Sequence, residues 1–376
     1  MSGIKRSTIR LSKSSISETE KLAVSNVLQQ EYLGMGNVTY DFEVALANYL
    51  SIKPDLVAAV NTGTSALHIA LSAIDIKPGD EVLVPSLTYV ASFQAISALG
   101  ATPIACEVLS GTLFLDPKDV ERKITPRSKA IMPVHYASSC KGIECIYRIA
   151  KMYDLRVVED AAQSFGSLYQ GKPIGTNSDI ICFSFDGIKN ITCGEGGAVV
   201  SNDIDVINKV KDSRLLGVMK DTEMRYSGKR SWDFDVKDQG FRYHMSNINA
   251  AIGIAQLGRI QEFKNKRQLL AKNYVRELTL VEEVDSLDFS FDEIMPHIFV
   301  IKALDRDGLR NYLLDQGIEV GVHYKPNHKL SKYKNGMSLP ITDQIYSEIL
   351  TLPLHFDLTF DDQKHVINSI KEFYER

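Results

Sequence analysis

Short apolar runs alternate with helix-period patterns from about residue 55 to residue 205. Leu56–Val60 (LVAAV) and Glu81–Val84 (EVLV) read as strands, each a short apolar stretch closed by turn residues. Between them, Thr64–Ile74 (TSALHIALSAI) puts Ala66, Ile69, Ala70 and Ala73 on one helical face, and Lys77-Pro78-Gly79-Asp80 ends the unit. The pattern then repeats. A helix is predicted over Tyr89–Leu99, strands over Thr102–Val108 and Ala130–Val134, and a helix over Cys145–Tyr153. Leu155–Val158 is a strand that ends in the acidic pair Glu159-Asp160, and Asp179–Phe185 and Ala198–Ser201 complete the set. Strands separated by roughly ten to twenty helical residues predict an α/β fold, a mostly parallel central sheet with helices on both faces.

Beyond Asp203 the pattern is mostly helical, with long amphipathic stretches over Ala250–Leu280. His297–Leu304 reads as a strand, Arg306–Gln316 as a helix, Ile318–Tyr324 as a strand and Asp362–Glu375 as a closing helix. A large domain of residues 1–256, including the N-terminal segment, and a smaller α+β domain of residues 257–376 are therefore expected. The sequence has no internal repeat.

Composition narrows the function classes. The 376 residues carry a net charge of −4, which gives no electrostatic case for a nucleic-acid or anionic-membrane partner. Five cysteines at irregular spacing, without a CxxC pair, fit free thiols in a reducing cytoplasm, and no metal site is expected. The polar start MSGIKRSTIRLSKSS lacks a secretory core, and nowhere do eighteen apolar residues run together.

Four features fall at predicted strand ends, where open α/β sheets bind ligands. Asn61-Thr62-Gly63-Thr64-Ser65 is a strand-to-helix junction: Gly63 allows close backbone approach, and Thr64 and Ser65 would leave amide donors free for an anion. Asp160 can hold a cationic group, with Gln163 three residues on. Lys189 follows an apolar strand and precedes a turn holding Gly194, Gly196 and Gly197, so a lowered pKa would free its amine for an imine; Ser184 lies five residues before it. Tyr89 offers a flat face. Each has an ordinary reading on its own: a helix cap, a cap beside a solvated Glu159, a surface lysine, a core tyrosine. Together they supply a phosphate cradle, a carboxylate for a ring nitrogen, an amine for an aldehyde and a stacking face. Pyridoxal 5′-phosphate needs all four.

NTGTSAL, VPSLTYVAS, VEDAAQSFGS, FSFDGIKNITCGEGGAVVSND, GFRYHMSNINAAIGIAQL and VGVHYKPNH, in this order, resemble the DegT/DnrJ/EryC1/StrS family of sugar aminotransferases, a branch of the fold type I pyridoxal-phosphate enzymes. The resemblance covers nearly the whole chain. It implies that Lys189 is the Schiff-base lysine, that Asp160 partners the pyridine nitrogen and that Gln163 binds the ring hydroxyl. Gly63, Thr64 and Ser184 would hold the phosphate, and Tyr89 would stack on the ring. It further implies a homodimer with shared active sites, L-glutamate as donor and a nucleotide-linked keto-sugar as acceptor. The N-terminal segment is more like relatives acting at C4 of a 4-keto-6-deoxyhexose than at C3; a C3-specific enzyme and a non-catalytic sensor or scaffold are the alternatives. His323 and Tyr324 fit the family's substrate-side pattern, although a histidine near a strand end is as often structural. A cysteine desulfurase would need a mobile nucleophile, for which Cys193 is the only candidate.

Three positions depart from the pattern. Arg242 stands where relatives often carry Asn, in a segment that would approach the phosphate across the dimer interface, and could act as a charge-assisted donor. Asp186 stands where many have His, and Asn327 in HYKPNH replaces the leucine of the usual HYxPLH.

Overall fold

The computed structural model describes residues 8–230 and 232–376. The expectation that the N-terminus lacks a secretory core bears in part on residues 1–7, outside the described residues.

Seven strands form the central sheet in the order β1-β9-β8-β5-β4-β2-β3. They are β1 (Val57–Val60), β2 (Glu81–Pro85), β3 (Thr102–Cys106), β4 (Ser128–Ile131), β5 (Arg156–Asp160), β8 (Ile180–Ser184) and β9 (Gly197–Ser201). A two-stranded ribbon, β6 (Leu168–Tyr169) with β7 (Lys172–Pro173), lies between β5 and β8 in the chain. From β8 to β3 all neighbours are parallel; β9 runs antiparallel to both β1 and β8. The α/β expectation is met.

The apolar runs have a direct cause. On β1, Val57 and Ala59 enter one core while Ala58 and Val60 enter the other; on β8, Ile181 and Phe183 separate in the same way from Ile180 and Cys182. Side chains alternate across a strand, so a sheet covered on both faces needs apolar residues at every position. The helices Asn37–Leu50, Ile143–Met152 and Asn247–Gly258 supply Phe42, Leu46, Ile146 and Ala250 to the first core. Gly63–Ala73, Val90–Ala98 and Ile204–Ser213 supply Ile69, Phe93 and Ile207 to the second.

A three-stranded antiparallel sheet, β10 (Val284–Ser286), β11 (Phe299–Ala303) and β12 (Ile349–Leu352), follows in the order β10-β11-β12. Helices Ile260–Leu278, Arg306–Asp315 and Phe360–Tyr374 cover it around Leu270, Leu309, Leu313, Val366 and Ile370. Ile9 belongs to this core and pairs with Ile318. Helix Ile260–Leu278 also gives Ile260 and Phe263 to the first core of the large sheet.

The expected strand over Ile318–Tyr324 does not form. Only isolated bridges occur there, Ile318 with Ile9 and Gly321 with Thr351. The chain leaves the sheet after Gly321, carrying His323 and Tyr324 to the cavity described below. Among the described residues no helix is long and apolar enough to cross a membrane.

Candidate active site

A cavity of about 460 Å³ opens at the carboxyl ends of β1, β2, β5 and β8. Gly63, Thr64, Tyr89, Asp160, Gln163, Ser184, Lys189, His323 and Tyr324 all line it. Arg242 does not: it is exposed, and its strand-like segment bridges Leu215.

The junction after β1 opens helix Gly63–Ala73 through a capping box. Thr62 Oγ1 accepts from the Ser65 amide at 3.0 Å, and Ser65 Oγ accepts from the Thr62 amide at 3.1 Å. The expectation that Ser65 has a free amide is thus corrected: its own N-cap consumes it. Gly63 and Thr64 remain at the cavity wall. A Cβ on Gly63 would lie 2.6 Å from Ser184 Cβ and 2.8 Å from Ser184 Oγ, so only glycine brings the helix terminus against the end of β8. That close approach sets a helix N-terminus and one hydroxyl side by side on the cavity wall, groups of the kind that bind anions.

Asp160, the last residue of β5, is 6% exposed. Its Oδ2 accepts from Ser92 Oγ at 2.7 Å and its Oδ1 from the Ala162 amide at 3.2 Å. The neighbouring Glu159 is buried, so the ordinary reading in which it is solvated does not hold. Successive strand residues face opposite sides, and the far side meets Tyr147, whose phenol donates to Glu159 Oε1 at 2.5 Å, and His135, whose Nε2 lies 2.8 Å from Oε2.

Gln163 Oε1 accepts from the Ala137 amide at 2.7 Å, and its Nε2 donates to the Tyr324 hydroxyl at 2.9 Å. Ala137 and Ser138 both have positive φ, 49° and 75°, and this turn aims the amide at Gln163. Asn190, buried beside Lys189, donates to the carbonyls of Phe165 and Met295, each at 2.9 Å, and so pins the lysine loop.

Lys189 is partly buried, and its loss of hydration lowers its pKa, against the charges of Asp160 and Asp186, which raise it. The amine is thereby biased toward its nucleophilic neutral form. Asp186 and Glu195 stand on the same wall; burial and then the Asp186 charge raise the Glu195 pKa. Burial, followed by the Lys189 charge, holds His323 down to about 4, so its ring is neutral at physiological pH; its Nδ1 lies 2.8 Å from Thr351 Oγ1. Burial, then Asp160, raises the Tyr324 phenol above its usual range, keeping it protonated. Tyr89 is 58% exposed, hence no core residue, with its ring centroid 5.6 Å from that of Tyr324. Cys193 is fully buried and its thiol is pushed up by burial, which removes the mobile nucleophile that a desulfurase needs.

Ser92, Ala137, Asn190 and Glu195 escaped sequence reasoning. Ser92 carried one signal: it lies in VPSLTYVAS, three residues beyond Tyr89. The others are brought in by loops, which have no period to read.

A mostly parallel sheet flanked by helices, with a buried carboxylate and a desolvated lysine facing one cavity at its strand ends, has the architecture of the fold type I pyridoxal-phosphate aminotransferases. The chain belongs to the DegT/DnrJ/EryC1/StrS aminotransferase family, whose model matches residues 14–371. Aminotransferases of this family use pyridoxal 5′-phosphate. The cradle that a Gly63 Cβ would fill, and the Lys189 amine facing the same cavity as Asp160, fit that group.

Solved structures agree. The chain is similar to an aminotransferase, TlmJ, from Streptoalloteichus hindustanus at 28% identity, over 97% of this chain and 98% of that one, with a TM-score of 0.91. It is similar to DesV of S. venezuelae, seen in complex with a ketimine intermediate, at 31% identity over 95% and 94% of the chains (TM-score 0.87). Helicobacter pylori PseC, an aminotransferase involved in the biosynthesis of pseudoaminic acid, is 27% identical over 98% and 99% (TM-score 0.90).

Proposed function

We propose that this chain moves the amino group of L-glutamate to the keto carbon, C4, of a nucleotide-linked 4-keto-6-deoxyhexose such as dTDP-4-dehydro-6-deoxyglucose, in a cytoplasmic route to an amino sugar of a surface glycan. One observation carries the reaction class: the desolvated Lys189 shares its cavity with the buried carboxylate of Asp160. The sugar class is supported by the motifs of the chain and by a similar solved structure described as a sugar aminotransferase.

Bound pyridoxal 5′-phosphate supplies a carbonyl for amine exchange and a ring that withdraws electrons from the reacting carbon. The chain does the rest. Gly63, Thr64 and Ser184 hold the phosphate, and Tyr89 lends its exposed face to the ring. Gln163, fixed by Ala137 and Tyr324, binds the ring hydroxyl. Asp160 keeps a proton on the ring nitrogen by its negative charge. Lys189 would hold the cofactor through its amine and would move the proton of the donor's α-carbon as base and then acid. His323 and Tyr324, neutral and protonated respectively at neutral pH, meet the substrate side without adding charge.

A homodimer would bring Arg242 of each subunit toward the other's phosphate, which its exposure and its absence from its own cavity allow. Residues 257–376 would serve as a smaller domain that presents His323 and Tyr324.

Incubation with pyridoxal 5′-phosphate, L-glutamate and dTDP-4-keto-6-deoxyglucose tests the reading. The expected product carries an amine at C4 by NMR. An amine at C3 would correct the position. Loss of glutamate's amino group to the cofactor without amination of any keto-sugar would sink the sugar assignment.

A further inference from the structure

The carboxylate of Asp160 is the end of a hydrogen-bonded chain. Ser92, on helix Val90–Ala98, is fully buried, and its hydroxyl donates to Asp160 Oδ2 at 2.7 Å. An ionised carboxylate only accepts, so the single proton of Ser92 is committed to Asp160. Ser92 Oγ must then accept at its 3.0 Å contact with Thr88 Oγ1, which makes Thr88 the donor. The charge on Asp160 thus fixes the polarity of the chain Thr88 to Ser92 to Asp160.

Thr88 is anchored in turn. The fully buried Asn327 donates from Nδ2 to Thr88 O at 2.8 Å and to Ser86 O at 3.1 Å, and its backbone amide donates to Ser86 O at 2.9 Å. The His328 amide adds a bond to Ser86 Oγ at 3.1 Å. Both the side-chain and the backbone donors of Asn327 are thus spent on the loop of residues 86–88. Asn327 therefore clamps the segment of His323 and Tyr324 onto that loop.

We propose that Ser92 is a positioning residue for Asp160, held in donor orientation by Thr88 and the Asn327 clamp, and that this chain sets how firmly Asp160 keeps a proton on the cofactor's ring nitrogen. The proposal rests on the aminotransferase reading. A donor lowers the proton affinity of a carboxylate. Without it, Asp160 becomes more basic and draws the ring proton toward itself. The ring then withdraws fewer electrons, and the lysine-linked nitrogen holds its proton to higher pH.

The test compares wild type, Ser92→Ala, Ser92→Thr and Asn327→Leu, each loaded with pyridoxal 5′-phosphate. The readouts are the pH midpoint of the bound cofactor's visible absorbance, cofactor affinity by absorbance titration, and the melting temperature of the cofactor-free chain. Ser92→Ala is expected to raise the midpoint by about one unit and weaken affinity about tenfold. Ser92→Thr, which keeps the hydroxyl, should restore both, and Asn327→Leu should shift the midpoint the same way by less. A lowered melting temperature with an unchanged midpoint in Ser92→Ala would make the hydroxyl a packing group and overturn the proposal. So would equal shifts in Ser92→Thr and Ser92→Ala. If Ser92→Ala does not fold, Thr88→Val with Asn327→Leu decides, and wild-type midpoints in both would overturn it. Wild type that binds no pyridoxal 5′-phosphate would fail the parent reading and this proposal together. Wild type that binds it, with Ser92→Ala indistinguishable, would fail this proposal alone.

Discussion

Gly63 and Ser184 meet at the cavity wall: a Cβ on Gly63 would sit 2.6 Å from Ser184 Cβ. Gly63→Ala should therefore push the helix terminus and the end of β8 apart. Overpacking of this kind costs about 1–3 kcal/mol, and we expect cofactor affinity to fall at least about tenfold. Absorbance titration with pyridoxal 5′-phosphate and a melting curve check it; wild-type affinity would mean that the cradle lies elsewhere.

Lys189→Met should reduce turnover by at least about 10²–10⁴-fold, the contribution of a positioned acid–base group, with further loss from the missing covalent link. The same variant has a stability signature. The folded pKa of Lys189 is depressed, so between that value and its ordinary one the unfolded chain binds more protons. Stability of the cofactor-free protein therefore rises with pH through that window, and Lys189→Met should remove this slope while stabilising the chain at neutral pH. Urea midpoints at pH 7, 8 and 9 measure it, and a steeper slope in the variant would contradict the burial argument.

His323 gives an acid-side effect. Its folded pKa of about 4 lies below the usual 6.5, so stability is lost as pH falls from about 6.5 toward 4, by roughly 2–3 kcal/mol. His323→Gln should flatten that part of the curve. Denaturant titrations at pH 7 and pH 5 would show whether the difference between the proteins closes as expected.

Asp186 raises the proton affinity of both Lys189 and Glu195. Asp186→His, which removes that carboxylate, should lower both, moving the pH–rate profile to lower pH by about half a unit to one unit. An unmoved profile would show that Asp186 is screened from the lysine.

Arg214 is fully buried and pairs with Glu43, itself 1% exposed, at 2.6 Å. Arg214→Met would leave that carboxylate uncompensated, and about 3–5 kcal/mol of stability should be lost. Glu43→Gln combined with Arg214→Met should recover part of it in the same melting assay; no recovery would assign the loss to packing.

Much of the site was legible because its parts are strand ends and helix starts. Asp160, Ser184 and the Gly63 junction follow apolar runs whose ends the sequence marks, and Lys189 follows β8 by five residues. Glu159 shows the limit. Its sequence context is the same as that of Asp160, yet it points to the opposite side, and only the packing of Tyr147 and His135 made it a buried group. Ile318–Tyr324 shows another. Its apolar alternation is a strand pattern, but Gly321 keeps only one bridged partner before the chain turns into the cavity.

The layered sheet and the kinds of group at its strand ends follow from local patterning, because periodicity and turn chemistry are local properties of the chain. Which groups meet was decided by tertiary structure alone. Ser92 reaches Asp160 across 68 residues, Gln163 reaches Tyr324 across 161 and Asn327 reaches Thr88 across 239. Hydrogen bonds of that span depend on how sheet and loops pack, a long-range outcome that no local pattern records.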